Sequence, residues 1–189
     1  YGGELYAIGT DNNMITFTAA NGQPGGWNGI YFKDCSDNWG GHSQLAYCII
    51  EKGSQFNVWC NSTNQPMVDS CIIRYSNGMG FHLESAAIII SNTTVQNNNG
   101  IGINSINSLI NLYKSNILNN TGYGLYYNNA YYVDNLKNLV FSGNSLDGVV
   151  IAGGDVSENR NWNYFGNKPY IVIDNIRIIK GNSKARLTI

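Results

Sequence analysis

Apolar residues recur along this chain at a fixed long interval. One column holds Leu45, Val68, Ile90, Leu112 and Leu136, at steps of 23, 22, 22 and 24 residues. A second column follows three residues later (Cys48, Cys71, Thr93, Ser115, Leu139), and a third two residues further on (Ile50, Ile73, Val95, Ile117, Phe141). Eight residues beyond lie Val58, Phe81, Ile103, Leu125 and Val149, and two beyond those Cys60, Leu83, Ser105, Tyr127 and Ile151. Apolar and polar positions alternate within these runs as in half-buried strands, and Asn/Gly turns separate them. A repeat of roughly 20–25 residues with this alternation predicts a solenoid, in which each coil buries its apolar side only by stacking on its neighbours. The expected fold is therefore all-β: three-sided coils of 22–24 residues, stacked as parallel strands about 4.8 Å apart.

Glycine precedes the fourth column in four copies (Gly80, Gly102, Gly124, Gly148) and Asn57 in the remaining one. This pattern reads as a bend that requires positive φ, which Gly adopts freely and Asn tolerates next best. After Ile151 the register loosens. Residues 153–168 read as a loop insertion before strands at 170–174 and 176–179, and residues 34–43, with Trp39 and His42, as a second insertion within a single domain of residues 1–189.

Composition narrows the partners. Only 12% of the residues are charged, half the usual share, and the formal net charge of −1 supplies no basic field for nucleic acid. The longest apolar run, residues 86–90, is far shorter than the ~20 residues of a membrane-spanning helix, so no direct membrane insertion is expected. A start at Tyr1 reads as a processed chain or a piece of a longer one. Asparagine takes the place of charge, with thirty copies. The clusters at 97–99, 119–120 and 128–129 fall at expected turns, where an amide can bond its own turn or the Asn of the next coil.

The repeat resembles the right-handed parallel β-helix family, the fold of pectate lyases, polygalacturonases, many phage tailspikes and bacterial surface proteins. The resemblance is strongest at residues 3–10, 15–18, 27–32 and 45–53, whose order looks like the β-helix modules of large secreted bacterial proteins. It implies an extracellular or cell-surface setting. Polygalacturonases carry paired aspartates and a Gly-His-Gly turn, whereas this chain has no Asp-Asp and comes nearest with Gly40-Gly41-His42-Ser43. Its carboxylates are too scattered to overlay the calcium-binding set of pectate lyases, so neither activity carries over.

Positions just after the fourth column point outward, one per coil: Tyr31, Trp59, His82, Asn104, Tyr126 and Val150. Two residues further along stand Lys33, Asn61, Glu84, Ile106, Asn128 and Ala152. His82 and Glu84 share one strand face, a pair that could serve acid–base chemistry or stand as a solvated surface pair. Tyr31, Trp59, Asn104 and Tyr126 form a glycan-contact candidate, since aromatic faces can stack on sugar rings while Asn and Tyr offer neutral hydrogen bonds. Cys48 and Cys71 lie in one column within disulfide range. Parallel side chains aim poorly at each other, which favours buried free thiols, and a second bridge between Cys60 and Cys35 stays open. No Cys-x-x-Cys or His pair suggests a metal site, and no cofactor is expected. Sequons at Asn61, Asn92 and Asn119 are candidate glycosylation sites. The leading expectation is a non-catalytic structural or adhesive module that meets itself or an adjacent β-helix module through open ends. The alternatives are a polysaccharide lyase or glycoside hydrolase, and a glycan-binding adhesin.

Overall fold

The computed structural model describes residues 3–33, 43–62, 64–166, 168–181 and 184–189. The expected insertion at 34–43 lies outside these residues except for Ser43, and so does Cys35. The described chain winds into a parallel β-solenoid of about six turns with three faces. The first face stacks Tyr6–Ile8, Gln44–Ala46, Asn64–Asp69, Ala87–Ser91, Leu109–Tyr113 and Leu136–Lys137. The second stacks Ile15–Phe17, Cys48–Glu51, Ile72–Arg74, Thr94–Gln96, Asn116–Leu118 and Val140–Ser142. The third runs from Ile30–Lys33 through Phe56–Asn61, Met79–Glu84, Ile103–Ile106, Leu125–Tyr127 and Val149–Ile151 to Tyr170–Val172.

The apolar columns are the register of these sheets. Leu45 pairs with Val68, Val68 with Ile90, Ile90 with Leu112 and Leu112 with Leu136. On the third face Val58, Phe81, Ile103, Leu125 and Val149 follow one another in the same way, all fully buried. A one-residue slip of any coil would turn its apolar set to solvent, so the alternation itself locks the stacking.

Corners between faces are made by residues with positive φ. The first corner uses Tyr47, Ser70, Asn92, Lys114 and Asn138, and the second uses Lys52, Tyr75, Asn97, Asn119 and Gly143. Six of the non-glycine residues in this conformation are asparagines, the type that tolerates it best, which accounts for part of the Asn-rich composition.

In the glycine column Gly148 has the positive φ its sequence suggests (150°), while the other three glycines have a different cause. Gly80 and Gly102 do not have positive φ; a Cβ on Gly102 would meet the carbonyl oxygen of Gly124 at 2.6 Å, the amide nitrogen of Asn120 at 2.9 Å and the Ile117 methyl at 2.9 Å. Glycine is required because the next coil comes this close.

The Asn120 amide belongs to a line of asparagines inside the solenoid. Its Oδ1 accepts both the backbone N–H of Asn98 (3.1 Å) and the side-chain amide of Asn98 (2.9 Å). Its Nδ2 donates to the carbonyl of Val95 (3.1 Å) and to Oδ1 of Asn144 (2.9 Å). Asn98 repeats the pattern, donating to the Ile73 carbonyl at 3.3 Å, and Asn144 ends the line on Oδ1 of Asp147 at 2.9 Å. Next to Asn98 the column position is Ser76, whose N–H donates to Oδ1 of Asn98 at 3.0 Å but whose side chain has no amide, and Asn57 supplies one instead, donating to Oδ1 of Asn98 at 3.2 Å and accepting from the Gly53 N–H at 2.8 Å. That explains why Asn stands where the other coils have Gly.

A second ladder uses the cysteine column. The Cys48 N–H donates to Sγ of Cys71 (3.4 Å), the Cys71 N–H to Oγ1 of Thr93 (3.3 Å) and the Thr93 N–H to Oγ of Ser115 (3.2 Å). Each of these side chains donates in turn to the carbonyl two residues before it. The possible bridge between Cys48 and Cys71 is thus not formed: both are buried free thiols, their stacked sulfurs occupied as ladder rungs, and Cys60 is buried too. Burial pushes the Cys71 thiol up to about 12, away from reactive thiolate.

The described residues between 153 and 168 are more ordered than a loop. They contain the strands Gly154–Val156 and Arg160–Asn161, paired with Ile176–Ile178 and Leu187–Thr188, and they bury Val156, Trp162 and Phe165. The coil is continued here, but the pairing offset grows from 22 residues at Gly154–Ile176 to 27 at Arg160–Leu187, hence the loosened register.

Replacing Asn120 by Ala leaves the Asn98 N–H and one amide proton buried without acceptors, so a loss of about 2–4 kcal/mol is expected in urea unfolding. Gly102→Ala should cost about 1–3 kcal/mol by overpacking. Cys71→Thr, which copies the next rung, should stay within about 1 kcal/mol of the parent, since the hydroxyl can take the Cys48 N–H.

Candidate functional site

The outward row of the third face holds Tyr31, Trp59, His82, Asn104, Tyr126 and Val150 in register. Lys33, Asn61, Glu84 and Ile106 form the parallel row beside it. The row is not open along its whole length: Asn104 and Val150 are buried, which leaves Tyr31, Trp59 and His82 on one side of Asn104 and Tyr126 on the other.

The side chains stack along the solenoid axis because successive strands lie closer together than two aromatic rings are wide. Tyr31 lies flat on Trp59, with ring centroids 4.1 Å apart and planes 11° apart. Phe56 packs against Trp59 at 5.0 Å and against the His82 ring at 6.3 Å, and Tyr123 against Tyr126 at 6.0 Å. One face of Trp59 is therefore covered by Tyr31, Phe56 and His82 pack tilted against the ring, and its Nε1 is buried.

Phe56 and Tyr123 belong to a third row that the sequence reading missed. Phe56, Met79, Ile101 and Tyr123 each stand immediately before the glycine column, and each is half-buried. Phe56 pairs with Met79, and the bonds from Gly80 N–H to Ile101 and from Gly102 N–H to Tyr123 carry the row onward. The signal was available as an apolar residue before Asn57 and before three of the four column glycines, Asp147 preceding the fourth. Two consecutive inward residues follow it, so it falls out of simple alternation.

His82 and Glu84 are brought onto one strand face as expected, roughly 6–7 Å apart by strand rise. Each is engaged with a neighbouring coil. The Asn104 amide lies 3.0 Å from Nδ1 of His82, and the Asn61 amide donates to Oε2 of Glu84 at 2.8 Å. With Asn104 donating, Nδ1 is the acceptor and the neutral ring carries its proton on Nε2. Burial lowers the His82 pKa below its ordinary value, with the Glu84 charge pulling the other way. His82 is thus neutral near pH 7.

Of the sequon asparagines, Asn61 and Asn92 donate their amides to Glu84 and Asp69 respectively. The Thr94 hydroxyl of the second sequon accepts from the Asn116 amide at 3.4 Å. Among the described residues no three His, Cys, Asp or Glu side chains converge as a metal site.

The stacked parallel coils, three faces and inward columns define a β-helical protein. The family model described as a right-handed β-helix region matches residues 6–183, and the chain belongs to that family. No curated protein and no solved structure matches it.

Because the folded His82 binds its proton less readily than the unfolded chain, its contribution is fully present above about pH 6.5 and is lost as the pH falls through that value toward the folded pKa. Urea unfolding should show stability dropping as the pH falls below about 6.5, and His82→Gln should flatten that drop.

Proposed function

We propose that the chain is a non-catalytic β-helical module of the cell exterior, structural and adhesive, whose third face is a contact surface for a neutral polysaccharide. The observation that supports this reading is the strip of three parallel rows. Phe56, Met79, Ile101 and Tyr123 give an apolar flank, Trp59, His82 and Tyr126 a central line, and Asn61 and Glu84 a polar rim. From Trp59 to Tyr126 the strip crosses three coil steps, about 14 Å. A strip of rings and amides with so few charges suits a polymer of neutral sugars, which offers apolar ring faces and hydroxyls but no charge. Its polar groups are tied to one another across coils, and this preorganisation favours binding over proton transfer. The resemblance to modules of secreted proteins supports the exterior setting.

Retention on a panel of insoluble neutral polysaccharides tests the reading. The parent chain should bind saturably without releasing reducing or unsaturated ends. Joint replacement of Tyr123 and Tyr126 by Ala should weaken binding roughly tenfold with the circular dichroism spectrum unchanged. A second reading, a polysaccharide lyase or hydrolase, is favoured by the placement of His82 and Glu84 on one strand. Product release abolished by Glu84→Gln would establish it in place of the first.

A further inference from the structure

The run Asn97-Asn98-Asn99 gives its three members different tasks. Asn97 makes a corner, with a φ of 54°, and Asn98 is a rung of the buried asparagine line, its amide donating to Ile73 and Asn120. Asn99 does neither. It is exposed, and its side-chain amide has no hydrogen-bond partner among the described residues. The next coil has Asn119 at the corner, Asn120 in the line and Thr121 in the third place, so the stacking itself does not call for an asparagine there.

Asn99 is followed by Gly100, one of four Asn-Gly pairs in the chain, at 21–22, 28–29, 77–78 and 99–100. In such a pair the glycine nitrogen reaches the side-chain carbonyl carbon of the asparagine with no Cβ in its way. The attack needs that nitrogen free of other bonds and the side chain free to turn toward it. Three of the pairs are restrained. The Gly22 N–H donates to the Ala19 carbonyl at 3.0 Å, the Gly78 N–H donates to Oγ of Ser76 at 3.1 Å, and Oδ1 of Asn28 accepts from the Ser54 hydroxyl at 3.1 Å. The Gly100 N–H has no partner among the described residues.

The pairs at 77–78 and 99–100 occupy the same place on successive coils: the Asn99 N–H donates to the Ser76 carbonyl at 2.9 Å, as the Thr121 N–H does to that of Asn98 at 3.0 Å. They differ through the residue before each pair. Ser76 offers its hydroxyl oxygen to the Gly78 N–H. Asn98, in the equivalent place, commits its side chain to Ser76, Asn57, Ile73 and Asn120, and offers no acceptor to Gly100. The side chain that completes the asparagine line is thus the one that leaves the Gly100 nitrogen unguarded.

We propose that Asn99 is a self-modifying site, which the Gly100 nitrogen and water convert to aspartate or isoaspartate. The nitrogen gives its proton to a solvent base and its electron pair attacks Cγ of Asn99. The bond from Cγ to Nδ2 breaks, ammonia leaves with a proton taken from solvent, and a five-membered succinimide remains. Water then adds to one of the two ring carbonyls and opens the ring. Nothing is oxidised or reduced. Either product adds one negative charge to a chain of formal net charge −1, two residues before Ile101 on the apolar flank of the third face. The isoaspartyl product also lengthens the main chain by one atom between two inter-coil bonds, from Asn99 N–H to Ser76 and from Gly122 N–H to Gly100. The reaction requires no ligand, so this inference stands apart from the polysaccharide reading.

Peptide mapping by mass spectrometry, on the folded chain incubated at mildly alkaline pH, tests it. Replacement of an amide NH2 by oxygen is expected first at Asn99, ahead of Asn28 and roughly tenfold faster than at Asn21 or Asn77, the factor that corresponds to opening one hydrogen bond. In urea the four pairs should convert at similar rates, which assigns the difference to the fold. Ser76→Ala frees the Gly78 N–H and should raise the rate at Asn77 roughly tenfold, to that of Asn99. Asn99→Thr, which copies Thr121, should abolish conversion at this position, and circular dichroism checks that both variants stay folded. Asn99 remaining intact in the folded chain while it converts in urea, or any other pair converting as fast as Asn99 in the folded parent, would overturn the proposal.

Discussion

Every feature of this molecule rests on one coil repeating the backbone path of the coil before it, so that each strand hydrogen bond and each side-chain ladder is handed on at nearly the same offset. The asparagine line shows how strict that constraint is. An amide has two donors and an acceptor with two lone pairs, and in Asn120 all four are used, three on the coil before and one on the coil after. A buried polar side chain is stabilising only when satisfied in this way. The satisfaction requires the neighbouring coils to stand at the right height and rotation. The glycine column is the other half of the arrangement, since the amides occupy the space in which a Cβ would sit.

Most of the architecture was legible in the chain because the interior of a solenoid is a periodic object. Leu45, Val68, Ile90 and Leu112 meet as their spacing says, and Cys48 and Cys71 share a column as expected. The reasons behind particular residues were less accessible. Glycine before the fourth column signalled a special backbone position, but a close approach and a positive φ leave the same mark in a sequence. Only the Gly124 carbonyl, one coil away, distinguishes them. Likewise the cysteines act as rungs equivalent to Thr93 and Ser115, a role set by the neighbouring N–H groups and not by thiol chemistry.

The outer face was legible in position more than in character. The row from Tyr31 to Tyr126 lies where the alternation puts it, but Asn104 and Val150 are covered and Tyr31 lies flat on Trp59. Side chains in register on parallel strands stack upon one another first and face solvent second. The apolar flank at Phe56, Met79, Ile101 and Tyr123 escaped notice because two inward residues interrupt the alternation after it.

Between Ala87 and Leu118 the repeat is free of insertions: Ala87 pairs with Leu109 and Thr94 with Asn116, both 22 residues apart. A segment of that length carries its own corners, one asparagine rung and one hydroxyl rung, and it begins and ends at the same point of the cross-section. Length in such a rod is therefore a whole-number quantity. Duplicating or deleting one such segment would move everything beyond it by a single strand spacing of about 4.8 Å along the axis, without breaking a ladder or turning a face. The spacing between whatever the two ends hold can thus be reset in fixed increments while the cross-section stays constant.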